Sequence, residues 1–228
     1  MNEQNSESDR RQAAIVAEHQ SRAQMPLAQV WRELKNGEAR IVDGFITEER
    51  CYLVLSTPLP YEKRCPPQGR RLFILEAMLC GQSLKALAID LHLSPSTVSN
   101  EAKLALQQLG LQCTPCKAHP LVSVLACAGA QEQLNRCARV AYFSAEGREF
   151  RVIATARPEA RLAPVLSPAE FAVVRGLLEG RNYLEIAKTR GTSKRTVANQ
   201  LAAAFRRLGV SGRGSLLNHV VSSQEAYA

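Results

Sequence analysis

The sequence predicts a mainly α protein made of two tandem repeats, each a small β-hairpin followed by a four-helix helix-turn-helix unit, with further helices at the N-terminus. Three observations lead there. Leu166 to Leu217 reads as four short helices with a start signal at each one. The same pattern stands 99 residues earlier in the chain. Ahead of each copy lies a stretch of alternating apolar residues around a turn. The expected divisions are 1–37 for the start and N-terminal helices, 38–130 for the first hairpin and helix-turn-helix, and 131–228 for the second pair.

In chain order, Met1 to Arg10 is polar and is expected to be disordered. Gln12 to Ala23 reads as a loose helix with a thin apolar face of Ala13, Ile15 and Val16. Pro26 opens a better helix. Leu27, Val30, Trp31 and Leu34 share one face of it, and Gly37 can stop it. Trp31, the one tryptophan, reads as a core anchor. Ile41, Asp43 and Phe45, then Tyr52 and Val54, alternate around a Thr47–Arg50 turn. Val140 and Tyr142, then Phe150, Val152 and Ala154, do the same around Glu146-Gly147. A lone hairpin is marginal in water, so both must pack on each other or on the preceding helices. The linkers Pro58–Gly69 and Ala156–Pro164 are rich in Pro and charge and are expected to be exposed and stiff.

The first helix-turn-helix follows. Ser83 caps a helix from Leu84 to Leu91, and Ser94-Pro95 opens one that ends at Gly110. Val98, Ala102, Leu106 and Leu109 form its buried stripe, and Ser96, Ser99, Asn100 and Lys103 its outer face. Gln112 to Pro120 replaces the segment that follows the third helix and is about five residues longer. Pro120 then starts a helix through Cys127, and Gln131 to Cys137 leads into the second hairpin.

In the second copy, Ser167-Pro168-Ala169-Glu170 is a capping box with Pro at the first helical position. Asn182 and Glu185 repeat the spacing for a helix from Tyr183 to Thr189. Ser193 caps a third helix that stops at Gly209, and Ser211 can start a fourth across Leu216, Leu217, Val220 and Val221. On the third helix Val197, Leu201, Ala204, Phe205 and Leu208 make the buried stripe. Lys194, Arg195, Ala198, Asn199, Ala202 and Arg206 lie opposite, a face suited to an anionic groove.

The two copies align without a gap from Arg71 to Leu111. Gly81 matches Gly180, Ala88 matches Ala187, Ser94 matches Ser193, and Asn100 matches Asn199. Leu109-Gly110-Leu111 matches Leu208-Gly209-Val210. Agreement at so many caps and turns indicates an internal duplication.

The opening Leu-Ser-x-x-Glu, Ile186-Ala187, Ser193-x-x-Thr196-Val197, Arg207-Leu208-Gly209-Val210 and Arg213 together resemble the DNA-binding domain of the LuxR (GerE) class of bacterial transcription factors. The resemblance covers about 100 of the 228 residues. The first copy departs from it: Arg71 replaces the opening Glu, Leu87-Ala88 stands for Ile-Ala, and Gln108 replaces the basic residue before Leu-Gly. The resemblance implies that Ala198, Asn199 and Ala202 face bases. Asn199 can bond an adenine edge and the alanines can touch thymine methyls. Ser193, Lys194, Arg195, Thr196 and the Asn182 helix start would sit on phosphates, with Arg206 beside them. In the first copy Ser96, Ser99, Asn100 and Lys103 occupy the equivalent places.

Charge points the same way. The chain carries a net +8, which favours a polyanionic partner. From Pro67 to Leu111 four Lys/Arg face three acids (net +1), and from Leu166 to Arg213 nine face three (net +6). Phosphate neutralisation supplies much of DNA affinity, so the second copy is expected to bind more strongly. Double-stranded DNA is therefore the expected partner, with RNA polymerase a further candidate. The chain has no apolar window of membrane-spanning length and no apolar signal core in MNEQNSESDRR, so a cytoplasmic protein with no membrane partner is expected.

Cys113-Thr-Pro-Cys116, with His119 and Cys127, has a turn spacing that suits two metal or redox ligands. It lacks a second CxxC or an HxxxH, so the expectation is reduced thiols and no metal or cofactor. His19, His92, His119 and His219 lack motif context, and neither a phosphate-binding Gly loop nor a phospho-acceptor pattern occurs. No enzymatic activity is expected. The alternative classes are a protein-interaction module whose helix-turn-helix copies no longer bind DNA, and a thiol or metal sensor. Either an intramolecular pseudo-dimer packed through the hairpins or a homodimer through Leu216, Leu217, Val220 and Val221 can pair the readers.

Overall fold

Cys51 to Leu55 is an uninterrupted apolar run, the signature of a strand covered on both faces. The computed structural model, which describes residues 3–57, 65–130 and 136–222, places that run at the centre of one sheet. In chain order the elements are α1 (Glu3–Gln20), β1 (Gln24–Pro26), α2 (Leu27–Lys35), β2 (Arg40–Ile46), β3 (Arg50–Ser56), α3 (Gly69–Leu79), α4 (Leu84–Asp90) and α5 (Pro95–Gln108). Then follow α6 (Pro120–Ala130), β4 (Cys137–Ala145), β5 (Arg148–Ala156), α7 (Pro168–Leu178), α8 (Tyr183–Arg190), α9 (Lys194–Leu208) and α10 (Arg213–Ser222). Short 3-10 turns lie at Pro115–Lys117 and Pro158–Leu162.

The mainly α expectation is corrected here. The fold is a mixed α/β one, organised on a five-stranded antiparallel sheet of order β1-β4-β5-β3-β2. The two hairpins are not separate small elements. β3 pairs with β5 along its whole length, from Arg50↔Ala156 to Ser56↔Phe150, centred on Leu53↔Ile153. The physical reason is two-sided burial. Ile41, Cys51, Leu53, Leu55, Val140 and Ile153 join a core with α2, α3, α5 and α6 on one face. Tyr52, Val54, Ala141, Phe150, Val152 and Ala154 pack with Ala14 of α1 on the other. A hairpin that must hide both faces finds its edge partner in the other hairpin.

The order β2-β3-β5-β4 sets the hairpins about an approximate twofold axis at Leu53 and Ile153. The helices before them follow it. α2 begins after Pro26 at Leu27, and α6 begins Pro120-Leu121. They pack together on the same sheet face. At their crossing Trp31 is wholly buried, donates its indole N–H to Glu76 Oε1 at 2.8 Å, and fills the space a side chain at Gly129 would need. A Cβ there would lie 2.2 Å from Trp31 Cδ1. α6 thus closes the first helix-turn-helix against α3 and also serves the second hairpin as α2 serves the first.

Two further expectations are corrected. The N-terminal segment, read as disordered and then loosely helical, is one helix from Glu3 to Gln20. The face it packs is Ala14 with Ile15 and Ala17, while Val16 is exposed, and charge does the rest. Arg11 binds Asp43 at 2.8 and 3.0 Å, Arg10 binds Glu146 at 2.8 Å, and both guanidinium groups lie over aromatic rings, of Phe45 and Phe150. Glu18, buried, meets Arg139 at 3.1 Å and Arg50 at 3.3 Å.

The linker Ala156–Pro164, expected to be exposed, is a packed joint in which Arg157, Pro158, Glu159 and Leu162 are buried. The Arg157 guanidinium is the reason. It binds Glu159 at 2.5 Å, the Thr47 carbonyl at 3.2 Å and Glu179 at 2.7 Å. It therefore ties the first hairpin turn to the end of α7. The segments Pro58–Arg64 and Gln131–Asn135, which carry most of the first linker and the approach to the second hairpin, lie outside the described residues.

Candidate nucleic-acid interface

The second helix-turn-helix has the caps its sequence implies. Ser167 Oγ accepts from the Glu170 N–H at 3.3 Å, and Glu170 Oε2 accepts from the Ser167 N–H at 2.8 Å. Asn182 Oδ1 accepts from Leu184 and Glu185 N–H at 2.9 and 3.0 Å, and Glu185 answers on the Asn182 N–H at 2.7 Å. Ser193 Oγ accepts from the Thr196 N–H at 3.0 Å. Each such cap contributes about 1 kcal/mol. Gly191 at φ 61° makes the tight turn that α8 and α9 need.

These caps aim one face of α9 outward. Val197, Leu201 and Ala204 are buried, with Phe205 and Leu208 half-buried beside them. Ser193, Lys194, Arg195, Asn199, Ala202 and Arg206 are exposed, while Thr196 and Ala198 are half-buried. Lys194, Arg195 and Arg206 have no ion-pair partner among the described residues. Arg207 differs: it turns inward to Glu170 at 3.6 Å and to the Val165 carbonyl. Asn182 is exposed at the start of α8, on the side of Lys194.

The first copy presents a different surface. Ser96, Asn100 and Lys103 are exposed and Ser99 is half-buried. Arg71 binds Glu101 at 2.7 Å, which holds the Glu101 carboxyl below its usual range. The acid on α5 is therefore turned to α3, where Arg71 stands in place of Glu170. The capping box is lost with it: Gln68 makes no side-chain cap. Phe73, Ile89 and Leu104 are exposed where the second copy has Ala172, Lys188 and Ala203.

The units touch. A Cβ on Gly214, in the first turn of α10, would stand 2.2 Å from the Gly81 carbonyl oxygen in the α3–α4 turn. Leu216, Leu217 and Val220 of α10 are buried within the chain. The apolar face required for the homodimer arrangement is therefore already covered; the side chain of Val221 lies outside the described residues.

Three cations that the local pattern did not single out for this face sit beside it. Lys117, Arg181 and Arg213 line, with Asn182 and Lys194, a depression of about 500 Å³. Lys117 comes from the insertion after the first copy, and only its tertiary placement could reveal it. His119 fastens that insertion to the sheet: its Nε2–H donates to the Phe45 carbonyl at 3.1 Å, and its Nδ1 accepts the Leu121 N–H at 3.3 Å. Both bonds suit the neutral ring, and burial pushes its pKa down to about 4.

The unfolded histidine takes a proton near pH 6.5 while the folded one refuses it until about pH 4. Stability is therefore full above pH 6.5 and falls as the pH drops through that window, by about 3 kcal/mol at pH 4. The urea midpoint of His119→Gln should lose this part of the acid response. An equal acid shift in both proteins would remove His119 from the account.

Cys113 is half-buried, and the side chain of Cys116 lies outside the described residues. Among the described residues Cys80 and Cys127 lie together, and the neighbouring thiol and burial push the Cys80 pKa up. Among the described residues no three His, Cys, Asp or Glu side chains are grouped to hold a metal, and no helix is long and apolar enough to cross a membrane. Comparison of the chain with family models, curated proteins and solved structures found no match.

Proposed function

We propose that this chain is a sequence-specific double-stranded DNA-binding regulator of transcription, of LuxR type, with α9 as its main reader. The outward face of α9 carries the reading: Lys194, Arg195 and Arg206 stand exposed around Asn199 and Ala202 on a helix capped at both ends. Lys194, Arg195, Thr196 and Asn182 take phosphates, and Ala198, Asn199 and Ala202 meet base edges. α5, through Ser96, Ser99, Asn100 and Lys103, takes a weaker half of an asymmetric site. One chain then occupies one short duplex, in the cytoplasm, with no chemistry of its own, and RNA polymerase is a candidate second partner. Exposed Phe73, Ile89 and Leu104 favour a second reading for the first copy alone, contact with a protein.

A salt-dependent gel shift tests the reading. Lys194→Ala with Arg195→Ala should weaken binding to all sequences and lower the salt slope by about 2. Light scattering of the complex should give one chain per duplex. Purified protein that shifts no duplex at low salt sinks the reading, and two chains on a palindrome sink the asymmetric site.

A further inference from the structure

We propose that Lys117, from the loop after the first helix-turn-helix, is a backbone-phosphate contact of the second one. The inference rests on the DNA reading above and extends it to a residue outside both aligned helix-turn-helix stretches. Four cations from four separate segments, Lys117, Arg181, Lys194 and Arg213, converge on one depression of about 500 Å³. Among the described residues no acid lines it. The rest of its wall is mainly apolar: Tyr183 is half-buried and Leu184 is 54% exposed. Apolar walls lower the local dielectric and strengthen attraction to an anion. They also suit the sugar face of a sugar-phosphate chain. Lys194 belongs to both this depression and the α9 face, with Asn182 at the start of α8 beside it, so one strand can run across the two without a break.

The neighbours are held in place. Arg181 is paired with Glu179 at 2.9 Å, and Arg213 Nε donates to the Leu177 carbonyl at 3.0 Å. Lys117 is exposed, but its backbone is anchored. Its N–H donates to the Thr114 carbonyl at 2.8 Å, Ala118 is buried, and His119 is bonded at both ring nitrogens. A long cation on an anchored stem costs little ordering when it meets a phosphate. The first unit thus supplies charge to the second unit's surface, which the +1 and +6 tallies of the separate copies do not include.

The test uses the full chain and duplex DNA. Lys117→Ala, checked for an unchanged melting temperature, should bind every duplex roughly fivefold more weakly at low salt, with a salt slope smaller by about 1. In the wild-type complex the Lys117 amine should be protected from acetylation together with Lys194. An unchanged slope with Lys117 still open to acetylation, while Lys194→Ala lowers the slope, overturns this contact and leaves the DNA reading standing. A full chain that binds no duplex overturns both.

Discussion

Gly110→Ala should destabilise the protein by roughly 3–5 kcal/mol, while Gly209→Ala at the matching position should cost about 1–2 kcal/mol. Both glycines end a reader helix in a Leu-Gly motif, and both have positive φ, 101° and 66°. A β-carbon strains the backbone at either. Only at Gly110 does it also collide, because Ile41 O would lie 2.0 Å away, and that strand is tied to the helix end by the Ile41 N–H to Leu109 carbonyl bond at 2.9 Å. A backbone oxygen of a strand paired to β3 and bonded to the helix end has little room to step aside. Nothing approaches Gly209 within 4 Å. Urea unfolding of the two variants measures the difference. Equal losses would mean that α5 does not press on β2 in solution.

Arg157→Ala is expected to cost about 3–5 kcal/mol, the usual penalty for orphaning a buried charge. Glu159 is 2% exposed and keeps its carboxylate in the protein because Arg157, itself 8% exposed, neutralises it. The same guanidinium satisfies the Thr47 carbonyl and one oxygen of Glu179. Its removal therefore loosens the first hairpin turn from α7 as well. Arg157→Met combined with Glu159→Leu should recover most of the loss, since replacing both charges removes the desolvation cost along with the attraction. A single variant within about 1 kcal/mol of wild type would show that water reaches Glu159 and that the joint is held by packing alone.

Much of the candidate interface was legible before any tertiary structure. Helix starts and stops are local: orphan N–H groups must be met within three or four residues, so Ser167, Asn182, Ser193 and Gly209 declare themselves in the sequence. The reader face follows from the 3.6-residue period that buries Val197, Leu201 and Ala204. Lys117 was invisible because a cation's role depends on what lies across from it, and those neighbours are 60 residues and more away in the chain. The partner of Glu101 is hidden from the sequence for the same reason. Glu101 stands next to Asn100 on α5, yet its carboxylate is taken by Arg71 on another helix.

By itself the sequence determined the duplication, the caps and turns of both helix-turn-helix units, the uneven charge of the copies and the residues on the outer face of α9. Only the tertiary structure decided that the fold is mixed rather than mainly α. The run from Cys51 to Leu55 shows that two faces are covered, but not by what. Strand pairing joins backbone groups about 100 residues apart, Leu53 to Ile153, and every strand offers the same backbone donors and acceptors. Which edge meets which is settled by the joint burial of α2 and α6 on one side and α1 on the other, a choice of packing partners that no local period records.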